Sequence, residues 1–149
     1  MTRKELAKKY FEEGYACSQA VCMAFSDVVN LNKEVLEKIS LPLGGGLGRL
    51  RLTCGAVTGM ALVIGLIFTN GKESKTDVYE ITREVVSRFE KEHDSIICKE
   101  LLEDANINVV VAGNPEERTE EYYKKRPCAE LVYNAARILE EYLVEKGVL

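Results

Sequence analysis

The chain has 149 residues, of which 46% are hydrophobic and 30% are charged, as is typical of a single globular domain with one core. Twenty-four Asp and Glu outnumber twenty Lys and Arg, giving a formal net charge of -4, and the charges are interspersed. This balance argues against a nucleic-acid partner. The charged N-terminus lacks the apolar segment of a signal peptide, so we expect a cytoplasmic location.

The first half of the chain predicts four helical segments. A short helix over Arg3 to Glu13 ends at Gly14, and a second helix begins at Cys17. A third covers Lys33 to Ser40. The apolar residues that follow Cys54, with Thr53 as the expected cap, predict a core helix buried on nearly all sides. The apolar run from 56 to 68 is shorter than the roughly 20 residues of a membrane-spanning helix, so we expect no transmembrane segment.

The second half continues the helical pattern. Apolar residues recur at helical spacing from Val78 to Phe89 and again from Leu131 to Leu143. Only 109–111, three valines inside a long connector, favour an extended conformation, and a lone strand there would have no partner. We therefore predict an all-α helical bundle that forms one domain over residues 1–149.

Glycines suggest where a ligand could approach. The segment Gly44–Arg49 is expected to be a flexible loop that leaves room for a substrate. Each glycine within the helix after Cys54 costs about 1 kcal/mol relative to alanine. Gly55 and Gly59 share one helix face, which predicts close approach of another backbone or of a bound group. Gly55, Gly59 and Arg49 are therefore the candidate cofactor-binding residues.

Five cysteines in a chain without a signal peptide favour redox or metal chemistry over structural disulfides, although free cysteines also serve as packing residues. Four of them fall where helices begin, and a helix N-terminus stabilises a thiolate. Cys22 lies about 140° around the helix from Cys17 and is interpreted as a packing residue. The four candidate catalytic residues are Cys17, Cys54, Cys98 and Cys128.

Counting the reversals of chain direction between successive helices predicts that three of these thiols share one end of the bundle. If the helix over Lys33 to Ser40 reverses the chain, the helices that begin at Cys17 and Cys54 start at the same end, and Cys98 follows a helix that returns there. This argument does not place Cys128. His93, the only histidine, would lie nearby, and we interpret it as a cation at a helix C-terminus in preference to a ligand or proton donor. The glutamate pairs 116–117, 120–121 and 140–141 are interpreted as solvated helix faces.

Five segments carry a resemblance to a known family. The chain resembles the C-GCAxxG-C-C family, small bacterial or archaeal proteins that are described as redox-active and defined by four cysteines. The resemblance extends from about Tyr10 to Tyr142 and implies that the same four cysteines are the functional ones, whereas Cys22 has no counterpart. The matching segments are Cys17–Val21, Gly44–Arg49, Cys54–Gly59, Ile97–Leu102 and Cys128.

Three functions stay open at this point. The first is thiol-disulfide chemistry, by a thiol oxidoreductase or an electron-transfer protein, in which Cys54 is the attacking thiolate. Arg49 or Arg51 would lower the pKa of Cys54. The alternative interpretation is that both arginines are solvated loop charges. The second is a metal ion or iron-sulfur cluster held by the same four cysteines, although their spacing resembles neither zinc fingers nor ferredoxins. The third is a helical interaction module or transporter accessory protein with inert thiols. The redox partner and any homo-oligomer are not specified by the sequence.

Overall fold

The computed structural model describes all 149 residues and contains nine α-helices and no strand. This confirms the predicted all-α fold. Three-residue 3-10 helices at Leu41–Leu43 and Lys72–Ser74 complete the regular structure, and no helix combines the length and apolar character needed to cross a membrane. The helices are α1 (Arg3–Glu12), α2 (Cys17–Met23), α3 (Ser26–Val29), α4 (Lys33–Ser40), α5 (Gly55–Phe68), α6 (Lys75–His93), α7 (Cys98–Asp104), α8 (Glu120–Lys125) and α9 (Cys128–Glu145).

Helix α5 is the central element of one hydrophobic core. It packs against α2, α6 and α9, and α1 covers α2 and α9 from the other side. The N-terminal part of α5 is buried on nearly every side, as the apolar sequence predicted. Its last turn lies nearer the surface, where Leu66 is 40% exposed. The start of this helix is therefore the part held most firmly by its neighbours.

Two glycines let α5 approach α2 closely. A Cβ atom at Gly59 would lie 2.9 Å from the carbonyl oxygen of Ser18, and one at Gly55 would lie 3.2 Å from the Cβ of Cys17. Real Cβ atoms almost never make the first of these contacts. Close approach of another backbone therefore accounts for both glycines, and it places the first turns of α2 and α5 side by side.

Helix α4 returns the chain to the end of the bundle where α2 begins. The buried Ser18 hydroxyl donates a hydrogen bond to the carbonyl oxygen of Ser40 over 2.7 Å, and the Gln19 amide donates to that of Glu37 over 3.0 Å. The first bond satisfies the Ser40 carbonyl group at the C-terminal end of α4, and the second adds to the bond that the Glu37 carbonyl oxygen accepts from the N–H of Leu41. The reversal that the sequence predicted for Lys33 to Ser40 is present, and the glycine loop follows it directly.

Candidate functional site

A cavity of about 170 Å³ lies where four helices begin, and its wall includes all four cysteines of the predicted site. Cys17, Cys98 and Cys128 are the first residues of α2, α7 and α9, and Cys54 is the N-cap of α5. Cys22 is buried in the core and does not line the cavity. All five cysteines are free thiols. The tertiary fold thus gathers four thiols that are distant in sequence around one space.

A short backbone bridge joins the start of α5 to the start of α7. Thr53 pairs with Ile97, the N–H of Cys54 donates to the carbonyl oxygen of Ile96 over 2.7 Å, and the N–H of Cys98 donates to that of Leu52 over 2.6 Å. The prediction that Thr53 caps the α5 helix was wrong, because Thr53 belongs to this bridge. The bridge holds the segments that carry Cys54 and Cys98 together, with one cysteine on either side of the Thr53–Ile97 pair.

A buried serine stabilises the turn before α7, whose N-cap is Ile97. The hydroxyl of Ser95 accepts a hydrogen bond from the N–H of Ile97 over 2.9 Å and donates to the carboxylate of Glu100 over 2.6 Å. Ser95 therefore stabilises the turn that carries the bridge and Cys98.

The glycine loop forms one wall of the cavity and is held by its own hydrogen bonds. Gly48 donates to the carbonyl oxygen of Pro42 over 2.8 Å, and Leu52 donates to that of Gly46 over 2.9 Å. The backbone of Gly46 has a positive φ of 71°, and a Cβ there would lie 2.5 Å from the nitrogen of Leu52. These bonds and this close contact give the loop a defined conformation in which the chain folds back on itself.

Four arginines line the cavity: Arg49, Arg51, Arg118 and Arg126. Arg49 is the last residue of the glycine loop, and Arg51 follows two residues later. Arg51 is only 7% exposed, donates from Nε to the carbonyl oxygen of Val110 over 3.0 Å, and places Nη1 3.7 Å from the sulfur of Cys98. The alternative of solvated loop charges was therefore wrong for Arg51. Its guanidinium contacts Cys98 and not Cys54, contrary to the expected partner, because the bridge brings the two side chains together.

Glu116 is the one acidic residue in the cavity wall, and three arginines surround it. It forms ion pairs with Arg49 at 3.5 Å, with Arg51 at 3.8 Å and with Arg126. The hydrogen bond from Arg126 is the main reason that the pKa of Glu116 lies below its usual range. Glu116 precedes α8 and lies in no helix, so its interpretation as part of a solvated helix face was wrong.

Arg118 and Arg126 are the functional candidates that the sequence analysis missed. Arg118 donates to the carbonyl oxygens of Phe11 at 3.0 Å and Tyr15 at 3.1 Å, and its guanidinium lies 4.4 Å from the centre of the Phe11 ring. These contacts hold the connector between α7 and α8 against the end of α1. No local pattern identifies Arg118, whereas the position of Arg126 two residues before Cys128 was a usable signal.

The thiols of Cys17 and Cys128 form an unequal pair. A hydrogen bond between the two sulfurs is the largest contribution to both shifts: it raises the pKa of Cys17 well above its usual range and lowers the pKa of Cys128. The positive charges of Arg126, Arg118 and Arg51 lower the pKa of Cys128 further, against the opposing effect of burial. Of the two thiols, Cys128 is therefore the one that loses its proton more readily, and Cys17 is the one that keeps it.

Burial works against the predicted activation of the Cys54 thiol. It raises the pKa of Cys54 to about 12, and the backbone N–H groups of Ala56 and Val57 offset only part of this effect. Burial also raises the pKa of Cys98, with Arg51 opposing it, and raises that of Cys22 to about 12. The expectation that Cys54 is the activated thiolate was wrong, because loss of solvent outweighs the helix N-terminus at this position.

The remaining candidates divide between the cavity and its surroundings. Gly55 and Arg49 line the cavity, whereas Gly59 packs against Ser18 one turn further along and does not. His93 ends α6 outside the cavity, 3.5 Å from the side chain of Asn134. Burial lowers the pKa of His93, which disfavours the cationic form that the sequence analysis expected at this helix end.

The donor geometry bears on the metal hypothesis. The structure contains no group of three or more His, Cys, Asp or Glu side chains arranged so that they could hold a metal ion. The four cysteines line one cavity without converging as a ligand set, so no chemical step is assigned to a metal here. What the arrangement does provide is a cysteine with a lowered pKa, a second thiol coupled to it and a cationic wall.

The sequence matches one known family over most of its length. The family model described as "Putative redox-active protein (C_GCAxxG_C_C)" covers residues 15–142, a range that includes all four cavity cysteines. No curated protein and no solved structure matches the chain.

Proposed function

Since the chain belongs to this C_GCAxxG_C_C family, described as redox-active, we propose that it carries out thiol-disulfide exchange in the four-cysteine cavity. Cys128 is the attacking thiolate and Cys17 is the resolving thiol. The observation that carries this proposal is the unequal pair: two cysteines in one cavity, of which one is stabilised as a thiolate by its partner and by arginines. Such a pair supplies both sulfurs that a dithiol-disulfide cycle requires.

The Cys128 thiolate begins the reaction by attacking one sulfur of a disulfide substrate. A bond forms between Cys128 and that sulfur, the substrate disulfide breaks, and the first leaving thiolate takes the bonding electron pair. That thiolate accepts the proton of Cys17, whose sulfur then attacks Cys128 and expels the second thiolate, which is protonated by solvent. The pair loses two electrons and the substrate gains them, so one disulfide is reduced to two thiols.

The two remaining thiols of the cavity are Cys54 and Cys98. They lie on two segments that the backbone bridge holds together, and burial raises the pKa of both thiols, which keeps them protonated at neutral pH. We assign them a reserve role, in which they re-reduce the Cys17–Cys128 disulfide by exchange. This cycle needs a reduced starting state, and we therefore propose that the protein works in the cytoplasm, where thiols are kept reduced.

The test is to oxidise the reduced protein with one equivalent of a neutral small disulfide, trap it in acid and map the cysteines by mass spectrometry. We expect a Cys17–Cys128 disulfide as the first product. The C17S variant should accumulate a mixed disulfide on Cys128, whereas C128S should form neither species. The C22S variant is the matched control and should behave like the unmodified sequence.

Two results would overturn the proposal. Thiols that stay unreactive toward all disulfides in the folded protein would favour an inert interaction module, such as a transporter accessory protein. Tight binding of zinc or an iron-sulfur cluster after anaerobic purification, with all four thiols protected together and released by a chelator, would favour the metal hypothesis. Metal analysis and free-thiol counting on the same sample distinguish these two results from each other.

A further inference from the structure

The cavity that holds the cysteines is strongly cationic in a protein whose formal net charge is -4. Its wall contains four arginines and one carboxylate, with no lysine or aspartate. When Cys128 is a thiolate, four guanidinium groups face two negative groups, which leaves an excess of two positive charges. Because an uncompensated charge in a concave and poorly solvated site is costly, this excess favours a ligand that brings negative charge.

The arginines are held in place before any ligand enters. Arg118 is fixed by two backbone carbonyl groups and by the face of the Phe11 ring. Arg49, Arg51 and Arg126 all form ion pairs with Glu116, and one carboxylate cannot satisfy the donor groups of three guanidinium groups, even though Arg51 also contacts Val110 and Cys98. Guanidinium groups bind carboxylates through paired hydrogen bonds, and three that share one carboxylate retain free donors for another.

We propose that the substrate is a small disulfide that carries carboxylate groups, recognised through the arginines of the cavity wall. This inference rests on the proposed exchange reaction and specifies its substrate class. The cavity volume of about 170 Å³ compares with the roughly 10–15 Å³ that one water molecule needs on the same measure, so the cavity has room for a small molecule. The electron and proton balance is that of the exchange: one disulfide becomes two carboxylate-bearing thiols.

Three disulfides of matched size and different charge test this proposal. They are 3,3′-dithiodipropionate, which carries two negative charges, 2-hydroxyethyl disulfide, which is neutral, and cystamine, which carries two positive charges. Each rate of Cys17–Cys128 oxidation is divided by the rate of the same disulfide with dithiothreitol, which removes differences in intrinsic reactivity. We expect the normalised rate to fall in the order dianion, neutral, dication, by about tenfold or more between the extremes at low ionic strength.

Added salt and two substitutions test whether charge causes the preference among the three disulfides. The preference for the dianion should shrink in about 0.5 M salt, because screening weakens attraction between charges. The R49Q variant removes a positive charge and should lower the ratio of dianion to dication rates, whereas E116Q removes the negative charge and should raise it. Both substitutions break the same ion pair, so loosening of the loop alone would change the rate ratio in the same direction in both variants. It cannot explain shifts in opposite directions. R83Q, on the exposed face of α6, is the matched control and should leave the ratio unchanged.

The outcomes separate this inference from the proposed function. Equal normalised rates for all three disulfides, with the Cys17–Cys128 disulfide still formed, would overturn the substrate class and leave the exchange reaction intact. Failure of every disulfide to oxidise the pair would overturn the proposed function itself. A preference for the dication, or R49Q and E116Q shifts in the same direction, would also contradict recognition of carboxylates by the arginines.

Discussion

Nη1 of Arg51 lies 3.7 Å from the sulfur of Cys98, and this contact opposes the effect of burial on that thiol. Removing the guanidinium in R51Q should raise the pKa of Cys98 further, so that less thiolate is present at pH 8. We expect iodoacetamide to label Cys98 about tenfold more slowly in this variant, as followed by mass spectrometry of its peptide. R51K keeps a positive charge and should label faster than R51Q. Equal or slower labelling of Cys98 in R51K than in R51Q would contradict the electrostatic explanation.

The cysteines should label in an order set by their pKa values. Because the pKa of Cys128 is lowered, its thiolate persists to lower pH than that of an ordinary thiol, and its labelling rate should decline only as pH falls through that lowered value. Cys54 and Cys22, both with a pKa of about 12, should label slowly at neutral pH. Brief iodoacetamide labelling across pH 5 to 9, with peptide mapping, measures this order. Faster labelling of Cys54 than of Cys128 would restore the assignment that the sequence suggested.

The glycine loop should tolerate alanine at one position and not at another. Gly46 and Gly48 both have a positive φ, but only Gly46 has a neighbouring backbone where a Cβ would lie. We expect G48A to lower the free energy of unfolding by about 1 kcal/mol, the cost of the left-handed conformation alone. G46A adds a steric clash and should lower it by about 2 kcal/mol or more. Urea unfolding measures both, and equal losses would show that the clash is relieved without cost.

A second pair of glycines tests the packing of α5 on α2. A Cβ at Gly59 would approach the Ser18 carbonyl oxygen at 2.9 Å, whereas one at Gly65 would meet no atom within 4 Å. We therefore expect G59A to destabilise the protein by about 1 to 3 kcal/mol. G65A should stabilise it by about 1 kcal/mol, since alanine is the better helix former. Thermal unfolding followed by circular dichroism gives both values, and a destabilising G65A would contradict an open environment at this position.

The helices were largely predictable because their signals are local. The helix predicted over Lys33 to Ser40 matches α4, and the one predicted from Arg3 to Glu13 matches α1 to within one residue. The placement of Cys17, Cys98 and Cys128 at helix starts was also predicted from the sequence. Gly14 ends the helical pattern three residues before Cys17, and Pro127 directly precedes Cys128. The resemblance to the four-cysteine family identified the same cysteines from matching motifs, independently of the helix signals.

The chemistry of the site depended on contacts that no local pattern records. Arg118 acts through carbonyl groups of Phe11 and Tyr15, more than a hundred residues away in sequence, and the connector that carries it has no helical periodicity before α8. The sequence determined which thiols begin helices, because capping and periodicity are short-range effects. Only the tertiary structure decided which thiol becomes the thiolate, because desolvation and the distance to arginines depend on how the helices pack: Cys54 loses solvent in the core, whereas Cys128 faces three guanidinium groups.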